Sequence, residues 1–181
     1  MEYINHLDGQ ILLWIQDNLR NEMLTPISKF ITMLGNSGWL WIVLTILCLL
    51  FAKYRKVGLL SAVALIGSLI INNLILKNLV ARTRPYEVVA GLTRLIEVQK
   101  DYSFPSGHAG ASFGAAVIFF IYLPKKFGVP ALVLAFLIAL SRLYVGVHYV
   151  TDVLAGGMIS TVLALCIWKI DEYLQKTKHS N

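Results

Sequence analysis

Uncharged runs of near-membrane length constrain this chain more than any other feature. A membrane helix needs about 20 mostly apolar residues, and five stretches approach that. Trp39–Ala52 and Val57–Leu76 carry no charge, and the first extends back through Asn36-Ser37-Gly38 if its helix starts early. Gly107–Leu123 is apolar apart from His108, and Phe127–Val145 is apolar apart from Arg142. Val153–Trp168 is apolar and continues a helix expected to begin near Tyr149. Composition agrees. Of 181 residues, 57% are hydrophobic and 14% charged, with a mean hydropathy of +0.67. A soluble domain carries about 45–50% and about 25%. A core of this size cannot bury that excess, which excludes a disordered chain, a disulfide scaffold and an ordinary cytosolic enzyme. The expected fold is all-α, a polytopic transmembrane helical bundle of five spans.

The first 35 residues read differently. Ile4, Leu7, Ile11, Leu12, Ile15 and Leu19 recur at helical spacing, with Asp8, Gln16 and Arg20 elsewhere on the wheel. That pattern predicts an amphipathic helix lying in the membrane interface. Leu24–Leu34 is too short to span and contains Pro26 and Lys29; it reads as a second interfacial or half-inserted helix, and a sixth span built from this region is the alternative. The chain is expected to be one domain over 1–181, with an interfacial region over 1–35, a membrane core over 36–170 and a cytoplasmic tail over 171–181, fraying from Lys176 to Asn181. Cys48 and Cys166 lie inside apolar runs and read as packed, reduced thiols. The acidic N-terminus MEYINHLDGQ, without a basic n-region, is not expected to act as a signal peptide.

The net charge of +6 belongs to loops rather than to nucleic-acid binding. Lys53/Arg55/Lys56, Lys125/Lys126 and Lys169/Lys176/Lys178 follow alternate spans and mark one face as cytoplasmic by the positive-inside rule. The connection Lys77–Ser106 then lies outside, yet it carries Lys77, Arg82, Arg84, Arg94 and Lys100. That excess needs another reason. Ionisable groups at membrane depth are costly and point to function. Lys77, Arg84, His108, Arg142, His148 and Asp152 cluster at the outer ends of the last four spans. This set has a single acid for three permanent cations, so it is short of an anion, and phosphate suits Arg and Lys.

Spacing sharpens the pattern. Lys77 and Arg84 are two helical turns apart and share a face, with Asn73 one turn earlier, if the helix continues to Pro85. Ser106 is a natural N-cap, and Gly107 allows close backbone approach at a helix N-terminus, which is an anion site. His148 and Asp152 stand four apart. On one helix face the carboxylate accepts Nδ1–H and leaves Nε2 free as nucleophile or base. Metal binding by His108, His148 and Asp152 is the competing use; the nearby cations oppose it.

Lys77-x6-Arg84-Pro85, Pro105-Ser106-Gly107-His108 and Ser141-Arg142-x5-His148-x3-Asp152 resemble the three-part signature of the type 2 phosphatidic acid phosphatase superfamily, intact and in order. The resemblance implies a metal-independent integral membrane phosphatase without a cofactor. It implies that His148 attacks phosphorus to form a phosphohistidine, that Asp152 orients it, and that His108 protonates the leaving oxygen and then activates water. Lys77, Arg84 and Arg142, with Ser106 and Gly107, would bind the phosphoryl oxygens. The substrate implied is a membrane lipid phosphate or diphosphate, first undecaprenyl diphosphate, with phosphatidylglycerophosphate, phosphatidate and diacylglycerol diphosphate as alternatives. A lipid-phosphate transporter or flippase is the non-enzyme alternative. From its size the chain is expected in a bacterial plasma membrane, with the site on the extracytoplasmic face.

Overall fold

The computed structural model describes residues 2–179, and side chains over 5–178. The expected place of Ile4 on the N-terminal apolar stripe, and the last two residues of the tail, lie outside the described residues. The helices are α1 (Glu2–Leu19), α2 (Leu24–Leu34), α3 (Trp39–Leu50), α4 (Arg55–Ser68), α5 (Lys77–Val80), α6 (Pro85–Val88), α7 (Gly107–Tyr122), α8 (Lys125–Tyr144) and α9 (Val150–His179), and no strand occurs among the described residues. Between α4 and α5 the chain winds as a π-helix over Leu69–Leu76.

Among the described residues, three helical stretches are long and apolar enough to cross a membrane: Ala52–Val88, Lys125–Tyr144 and Val150–Lys178. Leu24–Leu34 and Asn36–Leu50 are bent by 46° and qualify only as a pair. The bend sits where Ser37 and Gly38 take φ of 51° and 66°, so the helix of Trp39 does not begin early as a regular one. Leu24–Leu34 thereby joins the first apolar run instead of lying apart from it. α7 is 16 residues long and reaches about 24 Å at about 1.5 Å per residue. It falls short of a full span, ending at its C-cap Leu123 before Pro124.

α7 packs against α8, α9 and α4, α3 packs on α4, α2 on α8, and α1 on α8 and α9. The sequence of α7 explains its position. Ala109, Gly110, Ser112, Gly114, Ala115 and Ala116 are all buried, and small side chains let helix backbones approach closely in a bilayer, where no hydrophobic force drives helices together. Around α7 a core of Trp41, Ile118, Phe119, Ala135, Ile138 and Ala164 is closed to solvent. Most of its polar groups are paired: Trp41 Nε1 donates to Ser112 Oγ at 2.9 Å, Thr45 and Ser61 hydroxyls meet at 2.7 Å, and Asn72 Nδ2 donates to Ser160 at 2.9 Å, while Asn72 Oδ1 has no partner among the described residues.

The outer faces are apolar. Val43, Leu47, Leu59, Val63, Val133, Phe136, Leu154 and Met158 are exposed, a girdle that a bilayer covers. Cys48 is half-buried, whereas Cys166 is exposed on α9; the expectation that both thiols pack inside the protein fails for Cys166, whose apolar surroundings face outward. α1 is helical as expected, but its wheel is turned. Leu12 and Asp8 are buried while Leu7 and Ile11 are exposed, because Asp8 has a buried partner described below. α9 stays helical through 176–178, where fraying was expected. The basic ends meet: Lys56 Nζ lies 2.7 Å from Asp171, whose carboxylate also accepts from Tyr122 Oη at 2.6 Å.

A Cβ added to Gly110 would press on Asn72 Nδ2 and lie 2.9 Å from Ser68 Oγ, whereas one at Gly114 would meet nothing nearer than 3.5 Å. Gly110→Ala should therefore destabilise by about 1–3 kcal/mol. Gly114→Ala should be neutral or stabilising by up to about 1 kcal/mol through helix propensity. Thermal unfolding in detergent measures both, and equal midpoints for the two variants would contradict this packing.

Candidate active site

The chain breaks its helices where the site begins. α5 ends at Ala81, which takes φ of 48°, and Arg84 is extended before Pro85 opens α6. The helix does not continue to Pro85, so Lys77 and Arg84 do not share a helical face. They converge because both reach one acid on the following loop: Lys77 Nζ lies 2.5 Å from Asp101 Oδ2, and Arg84 Nη2 lies 2.6 Å from Asp101 Oδ1. The expected shortage of anions is corrected accordingly, since Asp101 is a second acid at this depth.

Ser106 is the N-cap of α7, its Oγ accepting from Ala109 N at 3.4 Å and its backbone N–H donating to the Asp152 carbonyl at 2.9 Å. Gly107 packs against Asn73, whose Oδ1 would lie 2.7 Å from an added Cβ. Asn73 Oδ1 is buried and has no hydrogen-bond partner among the described residues. His108 follows, with Nε2 3.1 Å from Asn36 Oδ1.

Arg142, in the last turn of α8, is 1% exposed. Its Nη1 donates to Thr32 Oγ1 at 2.7 Å and Nη2 to Gln99 Oε1 at 3.4 Å, and Nε has no partner among the described residues. A buried guanidinium held only by neutral groups is well suited to an anionic ligand.

His148 sits in the turn between α8 and α9. That turn needs Gly146, whose φ is +76° and where a side chain would strike Arg20 and the Thr93 carbonyl. His148 and Asp152 are not on one continuous helix, because α9 starts at Val150. Asp152 instead caps α9, accepting from Tyr149 N at 2.9 Å, and meets His148 Nδ1 at 3.4 Å. Nor is Nε2 free: Arg84 Nη1 stands 3.1 Å from it. Arginine has no acceptor, so Nε2 accepts and Nδ1 carries the proton toward Asp152. Burial first, then Arg84, Arg142 and Lys77, pushes the His148 ring well below its ordinary pKa, against an opposing pull from Asp101. With Nε2 accepting from Arg84, the ring carries one proton and no charge.

A cavity of about 630 Å³ joins these groups. Lys77, Arg84, Gly107, His108, Arg142 and His148 line its polar end, while Ile42, Ile46, Leu49, Leu65, Ile66 and Leu69 line an apolar half between α3 and α4. Ser106 and Asp152 are buried behind it. Among the described residues no three His, Cys, Asp or Glu side chains are grouped to hold a metal.

Sequence reasoning missed three charged groups. Arg82 bridges Asp152 Oδ1 at 2.6 Å and Asp8 Oδ2 at 2.9 Å, and its guanidinium lies 3.7 Å from the Tyr149 ring centre. Asp8 also accepts from the Thr151 hydroxyl, and Ser103 Oγ donates to Asp152. Thus three of the five bases of the outer connection are held by acids, Arg82 by Asp8 and Asp152, and Lys77 and Arg84 by Asp101, while Arg94 lies over the Tyr86 ring. Arg82, two residues before Arg84, was visible as an unexplained cation; nothing in the spacing marked Asp8 or Asp101.

Residues 56–176 match the family model described as the PAP2 superfamily. An undecaprenyl-diphosphatase of Sulfolobus acidocaldarius is 31% identical over 74% of this chain and 64% of its own length, so the chain spans under two thirds of that relative. Phosphatidylglycerophosphatase B of Bacillus subtilis is 31% identical over 87% of this chain and 80% of its own length. The crystal structure of the transmembrane PAP2 type phosphatidylglycerolphosphate phosphatase from Bacillus subtilis superposes with a TM-score of 0.78 at 28% identity, covering 96% of this chain and 88% of that one.

Burial alone would raise the Asp101 carboxyl, but the Lys77 hydrogen bond and the charges of Lys77 and Arg84 outweigh it and hold the pKa at about 2. A depressed carboxyl gives its contribution in full above the unfolded value, so these ion pairs should persist above pH 4 and weaken only as pH falls toward 2. Carbon-13 titration of the Asp101 carboxyl reads this directly, and a midpoint near the ordinary 3.8 would contradict the pairing.

Proposed function

The chain belongs to the PAP2 superfamily, and on that premise we propose that it is a metal-independent lipid phosphatase working through a phosphohistidine. The observation that carries the reading is the neutral, tautomer-fixed His148 beside three buried cations in a cavity with an apolar half. Nε2 attacks phosphorus, and the bond from phosphorus to the lipid-side oxygen breaks. His108 protonates that oxygen. His108 then takes a proton from water, which attacks phosphorus, frees phosphate and restores His148. Asp152 holds Nδ1–H and stabilises the charge the ring acquires. Lys77, Arg84 and Arg142 neutralise the phosphoryl oxygens, with the Ser106–Gly107 start of α7 adding backbone donors. Arg84 must pass from Nε2 to the phosphoryl group, which frees the nucleophile as substrate binds.

The apolar half of the cavity suits a lipid chain. The first substrate we propose is undecaprenyl diphosphate, cleaved to the monophosphate, and the relative of that name in Sulfolobus acidocaldarius supports it. Phosphatidylglycerophosphate is the second reading, favoured by the greater coverage of the Bacillus subtilis relatives. Phosphate release from a panel of lipid phosphates and diphosphates by the purified protein in detergent separates them.

His148→Ala should lower that release by about 10³-fold or more, and Asp152→Asn by on the order of 10²–10⁴-fold with the fold intact. Activity should survive EDTA. Near-normal turnover by His148→Ala, or loss in chelator that added Mg²⁺ restores, would reject the mechanism.

We further propose a bacterial plasma membrane and an extracytoplasmic site. The grouping of Lys56 with Tyr122 and Asp171 at the opposite end supports it, since that end carries the basic clusters expected in the cytoplasm. In a background lacking Cys48 and Cys166, Glu97→Cys should react with an impermeant thiol reagent in intact cells and Lys126→Cys should not. Reversed labelling would invert the topology.

A further inference from the structure

A second cavity, of about 510 Å³, lies on the other side of the Lys77–Arg84 pair. Its lining is polar and includes Asn78, Thr83, Lys100 and Tyr102. Both cavities are lined by Asn73, Lys77, Arg84, Gln99 and Asp101. These residues therefore form the partition between a lipid-side chamber holding the two histidines and an outer polar vestibule.

Asp101 is the piece of the partition able to move. Its side chain is 54% exposed, against 7% for Lys77 and 3% for Arg84. Its two carboxylate oxygens sit on the two cations as two oxygens of a phosphoryl group would, one at 2.5 Å from Lys77 Nζ and one at 2.6 Å from Arg84 Nη2. Its backbone carbonyl accepts from Arg84 Nε at 3.0 Å, and Gln99, two residues earlier, touches Arg142. One short loop segment thus occupies all three cations. If Asp101 left alone, buried cations would be stranded without a counter-charge, which is strongly unfavourable. If a phosphate dianion took its place, the cations would gain charge and the carboxylate would regain water. Departure and arrival are therefore coupled.

We propose that Asp101 is a phosphate-mimicking latch, displaced by a phosphate dianion so that the two chambers join and inorganic phosphate leaves through the outer vestibule. This rests on the reading of Lys77, Arg84 and Arg142 as phosphate-holding groups. The dianion can arrive on a lipid or be the free ion, and the test separates the two.

The test measures binding without turnover, on the full chain in detergent. A latch closed about 90% of the time weakens phosphate binding about tenfold, so Asp101→Asn should bind inorganic phosphate about tenfold more tightly by titration calorimetry. Unchanged or weaker binding would make Asp101 a structural residue or a phosphate ligand and overturn the latch. The wild-type protein gives a second measurement that needs no variant. Lys100 is exposed next to Asp101, and inorganic phosphate should accelerate trypsin cleavage after it. A short-chain lysophosphatidate, added to His148→Ala so that none is consumed, is the other arm. Acceleration by inorganic phosphate assigns the latch to the free ion, and acceleration by the lipid alone assigns it to the headgroup. Protection or no change with both overturns it. If the wild-type protein releases no phosphate from any lipid, the phosphatase reading fails while these binding results stand on their own.

Discussion

The structure depends on keeping Lys77, Arg82, Arg84 and Arg142 charged and nearly dry at one end of a membrane bundle. Each such charge costs several kcal/mol unless it is paired and hydrogen-bonded. Much of what surrounds them follows from that cost. α1 is drawn onto α8 and α9 with Asp8 turned inward to Arg82. The connection between α6 and α7 folds back so that Asp101 reaches Lys77 and Arg84. Asp152 caps α9 with one oxygen while the other takes Arg82. Arg142 has no acid among its hydrogen-bond partners, only Thr32 and Gln99. The acids are thus distributed so that the most buried of these cations is the one without an acid partner among the described residues.

The same constraint explains what could be read from the sequence. The apolar runs set both ends of α8 and the starts of α4 and α9 to within a few residues, because lipid-facing and core-facing helices are both apolar and length identifies them; α9 runs on to His179, past the expected end at Trp168, because its polar last turns stay helical. Ser106 was legible as an N-cap because capping is local chemistry. Lys77 and Arg84 were rightly paired for the wrong reason. Their spacing of seven suggested one helical face, but Ala81 breaks the helix and Asp101, far away in sequence, brings them together. His148 and Asp152 were likewise neighbours through a cap and not a helix face. Asp8 was the harder case, since an acid on an amphipathic helix reads as the solvent side, and only its half-buried partner Arg82 reverses it. Local rules found the elements; contacts between distant segments set the orientation of the charges.

The π-turn over Leu69–Leu76 has a related origin. It sits where α4 passes α7 and α9, at the depth where the bundle changes from apolar to polar. Asn72 faces the small-residue seam and bonds Ser68 and Ser160, and its neighbour Asn73 faces the cavity beside Gly107. Adjacent residues of an α-helix point about 100° apart, and the wider π-turn reduces that angle, bringing both amides toward the interior. The irregularity places one polar side chain in the packing and the next in the site.

Arg84 shows how tightly electrostatics and chemistry are joined here. Its guanidinium bonds the Asp101 carboxylate, the Val147 carbonyl at 2.7 Å and His148 Nε2 at 3.1 Å. The Nε2 contact has two consequences. It fixes the imidazole tautomer, because an arginine can only donate. It also occupies the lone pair that the proposed reaction uses, so the ring is held ready and is shielded until something else claims the guanidinium. In the proposed reaction a phosphoryl group would do so, since two parallel donors of Arg84 match two of its oxygens better than one donor matches an imidazole nitrogen. Exchange of Arg84 from nitrogen to phosphate would, in that reaction, couple binding to release of the nucleophile. The coupling needs no helix movement, only rotation of a side chain already anchored at the Asp101 loop.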